Sequence, residues 1–111
     1  MSIPLFVFGT LRRGECNHHY LDGFYDRVLP GVLPEYGRVA PLMIARRAGA
    51  EVLGEVFFLT ESRYEQTLAG CDTLEEIPPG ALIGREYERR LVCITTSDGP
   101  LDAWAYVQPN S

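Results

Sequence analysis

Two stretches of this 111-residue chain gather residue types capable of chemistry. The first is Phe8-Gly9-Thr10-Leu11, where the apolar run from Ile3 to Phe8 (I-P-L-F-V-F) meets a glycine. Glycine lets the backbone turn sharply, so the next main-chain N–H groups, those of Gly9, Thr10 and Leu11, can face outward as an anion-binding concavity with no charged side chain. By itself a Gly-Thr after a strand is more often an ordinary turn. The second stretch is Cys71-Asp72-Thr73-Leu74-Glu75-Glu76, three carboxylates crowded at a helix exit beside the loop that carries Pro78-Pro79-Gly80. Acidic groups at a helix C-terminus oppose the macrodipole, which makes their concentration there unfavourable without a reason. A carboxyl close to like charges, or partly removed from water, keeps its proton to higher pH and so suits general acid/base work near neutrality.

The elements that must position these two stretches follow from pattern. Ile3 to Phe8 reads as a buried strand. Asn17 is expected to cap a short helix holding His18, His19, Tyr20 and Leu21, which Asp22-Gly23 stops. Between Tyr25 and Arg47, Pro30, Pro34 and Pro41 each remove a backbone donor, so strands there are expected to be short, irregular or at an edge. Glu51 to Leu59 (E-V-L-G-E-V-F-F-L) reads as a strand whose Gly54 marks a bulge or a close backbone approach. Thr60 is expected to cap a helix running from Glu61 to near Asp72, with Tyr64, Leu68 and Cys71 as its apolar stripe. Glu86 to Thr95 and Leu101 to Val107 flank Asp98-Gly99-Pro100 as a hairpin would. This order lacks βαβ alternation and predicts an α+β fold, mostly antiparallel and closed as a barrel, in a single domain over residues 1–111.

Bulk properties exclude several classes of function. The formal charge is −5, and Arg12-Arg13, Arg46-Arg47 and Arg89-Arg90 are the only basic doublets, so no stripe exists to track phosphates and nucleic acid is not expected as a partner. No apolar run approaches the roughly 20 residues of a bilayer span, and the opening residues carry no signal-peptide pattern, so no membrane and a cytoplasmic location are expected. Cys16, Cys71 and Cys93 lack CxxC spacing, and adjacent His18 and His19 do not share a helix face, so neither a disulfide framework nor a metal site is expected.

Taken together, the two stretches resemble the γ-glutamylcyclotransferase-like superfamily, whose members open with a strand followed by Tyr-Gly-Ser/Thr-Leu. Phe8-Gly9-Thr10-Leu11 matches that opening, and Gly14, Asn17 and His18 match a following Gly-x-x-Asn-His element in a manner similar to γ-glutamylamine cyclotransferases and the plant avirulence-induced members. Gly54-Glu55-Val56-Phe57 stands where the family has Gly-Glu-Val-Tyr. Asp72, Leu74 and Glu75 match Leu-Asp-x-Leu-Glu-Gly, Tyr87 and Arg89 match Tyr-x-Arg, and Ala103 to Val107 matches Ala-x-x-Tyr-Val. Two departures stand out: Glu76 replaces the usual Gly, and Phe8 the usual Tyr.

The resemblance implies a small mixed, mostly antiparallel barrel with short flanking helices. It implies a cofactor-free enzyme that cyclises a γ-glutamyl amide or peptide to 5-oxoproline and releases an amine. Glu75 is then the general acid/base, Phe8, Gly9, Thr10 and Leu11 form the substrate cradle, and Tyr87 and Tyr106 line the pocket. A monomer or homodimer is expected. The competing class is a non-catalytic binding or scaffold member of the same fold, for which Glu76 and Phe8 are the support. Other readings are structural: Asp72 is assigned to packing, His18 and His19 to the surface, Trp104 to the core, and one of Arg89 and Arg90 to solvent.

Overall fold

In the computed structural model, which describes residues 2–111, the first apolar run forms strand β1 (Leu5–Val7), buried on both faces. A 3-10 turn follows at His18–Tyr20, then β2 (Tyr25–Ala40), β3 (Met43–Leu59), a 3-10 turn at Glu61–Arg63, helix α1 (Tyr64–Leu74), β4 (Glu88–Thr96) and β5 (Gly99–Val107). The strands close a mixed barrel in the order β1-β3-β2-β4-β5. Its pairs are antiparallel except the closing one, where Leu5 lies parallel to Trp104.

Side chains alternate across each strand, and β1 and the last residues of β3 and β5 are covered on both faces, which is why they read as continuous apolar runs. Phe6, Leu33, Val52, Val56, Ile94 and Val107 fill the barrel interior. Leu5, Val7, Phe57 and Tyr106, one residue out of phase, face a second cluster with Leu68 and Cys71 of α1 and Ile77 beyond it. The helix is therefore held against the outer wall of the barrel at β1, β3 and β5. At Gly54 a Cβ would sit 2.3 Å from the Val7 carbonyl oxygen and 2.8 Å from the Phe6 ring, so the expected close backbone approach is the one that seats β1 on β3.

Three expectations need correction. The prolines do not keep β2 short: it runs for 16 residues, with Pro30 and Pro34 both exposed and registered opposite Glu55 and Glu51 of β3. Its other edge registers with β4 at Val32↔Thr95, which leaves room for residues lacking a donor. A bulge between Pro34 and Tyr36, with Glu35 at φ +65°, absorbs the distortion. Second, neither expected N-cap bonds its helix. Thr60 donates instead to Asp26, and Asn17 donates to the Thr10 hydroxyl. Third, neither Arg89 nor Arg90 is left to solvent, since Arg89 grips Asp72 and Arg90 grips Glu88.

Among the described residues no helix is long and apolar enough to cross a membrane.

Candidate active site

The residues after β1 leave the barrel wall as a tight loop whose carbonyl oxygens are all held from outside. Arg38 Nη2 donates to Phe8 O (2.9 Å), and Arg12 donates to Gly9 O through both its backbone N (3.1 Å) and Nε (3.0 Å). The Asn17 backbone N donates to Thr10 O (2.9 Å), and His18 Nδ1 lies 2.9 Å from Leu11 O. A carbonyl can only accept, so His18 carries its proton on Nδ1. Glu55 reinforces the loop by accepting from the Arg13 backbone N (2.9 Å) and Nε (3.0 Å). With the carbonyls engaged outward, the N–H groups of Gly9, Thr10 and Leu11 donate to no protein acceptor among the described residues. They are unspent donors on one short bend, as an anion-binding nest requires.

Glu75 arrives from the other side. It is the C-cap of α1, and the chain reverses just beyond it: the Ile77 N–H donates to Asp72 O (2.8 Å) and the Glu76 N–H to Thr73 O (3.0 Å), the paired bonds of a Schellman turn. That turn requires a left-handed residue at Glu76 (φ +59°), the place where glycine is ordinarily used. Ile77 is buried in the second core and anchors the reversal, while Glu76 points to solvent.

Helix end and cradle meet at one cavity at the barrel end, with about 410 Å³ of atom-free space including its mouth. Glu75, Phe8, Gly9, Thr10, Leu11, Tyr87 and Tyr106 all line it, and so do Phe6, Val7 and Leu42, which the sequence did not single out. The Glu75 carboxyl makes no hydrogen bond to a protein group among the described residues. Its pKa is pushed up to about 7, first by burial and then by the Glu86 charge. Desolvation, rather than crowding by Glu76, is thus what tunes it.

The two tyrosines are walls whose hydroxyls are already engaged. Tyr106 donates to Asp72 Oδ1 (2.7 Å), and Asp72 is gripped by Arg89 Nε (2.9 Å) and Nη2 (3.2 Å), all three being largely buried. Burial, with Cys71 and Asp72 beside it, drives the Tyr106 pKa upward, so it stays neutral. Asp72 therefore ties α1 to β4 and β5, while Cys71, its thiol raised to about 12 by burial and then by Asp72 and Glu75, is an inert part of the core. Tyr87 donates to the Leu42 carbonyl. His18, expected at the surface, is instead half-buried against Tyr25 and Phe57.

The loop-fixing roles of Arg12, Arg38 and Glu55 carried no signal in isolation, because each acts through a backbone atom distant in sequence or hidden by a turn. Leu42 carried no signal either, because Pro30, Pro34 and Pro41 argued against the long paired strands whose turn brings it to the cavity.

A family model described as gamma-glutamyl cyclotransferase, AIG2-like, matches residues 5–111. A Vibrio cholerae protein whose name assigns it provisionally to the γ-glutamylcyclotransferases is 34% identical, with the match covering 96% of this chain and 83% of that one. Among solved structures, YkqA of Bacillus subtilis superposes with a TM-score of 0.70 at 23% identity over 98% of this chain, which spans only 36% of YkqA. A structure titled gamma-glutamyl cyclotransferase superposes at 0.66 with 16% identity, covering 99% of this chain and 68% of its own. These two likenesses show a shared barrel fold.

Proposed function

The chain belongs to the AIG2-like γ-glutamyl cyclotransferase family, and from that membership we propose that it cyclises a γ-glutamyl amide to 5-oxoproline, with Glu75 as general acid/base. The substrate's α-amine nitrogen attacks its own γ-carbonyl carbon. Closing a five-membered ring makes the attack intramolecular, so the protein's task is to hold the chain folded and to move protons. Glu75 accepts the proton released by the attacking nitrogen as the new C–N bond forms. The N–H groups of Gly9, Thr10 and Leu11 stabilise the developing oxyanion. Glu75 then delivers its proton to the leaving nitrogen, the old C–N bond breaks, and 5-oxoproline and a free amine depart.

One observation supports this reading above others: a carboxyl with a pKa near 7 and no protein partner shares a cavity with three unspent backbone donors. A group poised near neutrality serves as base and then acid with little cost in either direction. Incubation with γ-glutamyl amides should yield 5-oxoproline, and Glu75→Gln should lower kcat by about 10²–10⁴-fold without unfolding the protein. A variant that turns over like its parent sinks the role of Glu75. Free glutamate in place of 5-oxoproline identifies water as the nucleophile instead.

A further inference from the structure

Most of the cavity lining is buried or half-buried; Leu42, at 52% exposure, is the exposed member and so stands at the mouth. It occupies the tip of the long β2–β3 hairpin, residues 41–42, which leans over the barrel end. Its Cδ2 packs over Gly9, close enough that a Cβ on that glycine would meet it at 3.4 Å. Two side chains hold the tip there. Tyr87 donates to the Leu42 carbonyl from the β4 side, and Arg38 donates through Nη1 to Pro41 O (2.9 Å) while its Nη2 holds Phe8 O of the cradle (2.9 Å). Arg38 thus links the tip to the anion-binding bend. A large apolar side chain half in water is normally free to move, whereas this one has its backbone fixed by a bond on each of two adjacent carbonyls.

Resting on the reading that this cavity takes a γ-glutamyl amide, we propose that Leu42 selects the amine portion of the substrate, with Tyr87 and Arg38 as the positioning residues that hold it across the mouth. The glutamyl end, with its carboxylate and reacting carbonyl, belongs with the N–H groups and Glu75 deep in the cavity. The amine portion must then leave through the mouth, against the Leu42 side chain and the Tyr87 ring. Those two surfaces favour an amine with an apolar group next to the amide nitrogen.

The test uses γ-glutamylmethylamide and γ-glutamylbenzylamide. Their dissociation constants are measured by calorimetry on the Glu75→Gln protein with and without Leu42→Ala, and 5-oxoproline formation is followed separately on protein retaining Glu75. Leu42→Ala should reduce the preference for the benzylamide by about tenfold. Tyr87→Phe, which keeps the ring and loses only the bond to the hairpin tip, should reduce it by about threefold. A purely structural role would weaken both amides together and leave the preference alone. An unchanged preference in Leu42→Ala overturns the selection role while leaving cyclisation standing. A shifted preference without 5-oxoproline supports Leu42 and removes the cyclisation instead, and failure of both amides to bind removes both.

Discussion

At the scale of single residues, the site depends on where two adjacent glutamates point. Glu75 turns into the cavity and Glu76 away from it, and the Schellman turn between them decides which does which. The sequence showed three crowded carboxylates and a departure from glycine, and offered like charge or partial desolvation as the cause of a raised pKa; desolvation leads, and the like charge that adds to it is Glu86 rather than Asp72 or Glu76. Asp72 is consumed by Arg89 and Tyr106, Glu76 is solvated, and Glu75 has its pKa raised, by burial first and the Glu86 charge second. Because Glu76 adopts a left-handed backbone with an exposed side chain, Glu76→Gly should stabilise the protein by about 1 kcal/mol, read from urea denaturation, without displacing Glu75. In the proposed role of general base, and with a pKa of about 7, Glu75 should give kcat/KM a rising limb centred near pH 7. The Glu75→Gln protein should lack that limb in whatever activity it retains.

Among the elements, those with an apolar run, an apolar stripe or a clear turn signal were legible: β1, the second half of β3, α1 and the β4–β5 hairpin all lie within a few residues of their expected places. What the pattern could not show was β2. Its two prolines, Pro41 just beyond it and its scattered glycines argue locally against a long strand, yet pairing along β3 overrides them, a case of tertiary context defeating propensity. That missed hairpin is the element that brings Leu42 and Arg38 to the cavity. Gly54, by contrast, was read as a bulge or a close approach, of which the structure has the second, and its replacement tests how β3 supports the cradle. Gly54→Ala should destabilise by about 1–3 kcal/mol in thermal or urea unfolding, since the added carbon collides with the Val7 carbonyl just before the bend.

For the whole molecule, the activated acid carries a stability consequence. The Glu75 pKa of about 7 in the folded state lies above its ordinary value of 4.5, so between these values the folded protein holds a proton that the unfolded chain has released. Stability must therefore fall as pH rises through that window and level off above about pH 7, by on the order of 2 kcal/mol after allowance for the partial exposure of the group. Unfolding free energies at pH 4.5 and 7.5 should show this loss relative to Glu75→Gln, which removes the titration while sharing every other carboxylate. The barrel also imposes an order of events. Its seam is the parallel contact of Leu5 with Trp104, nearly the full chain apart, and Tyr106 on that same last strand completes the cavity wall. A nascent chain presents the bend and the acid long before either is useful, because the wall between them arrives with β5. Contacts of such sequence separation form slowly, so the cavity is closed late in folding, when the first strand and the last come together.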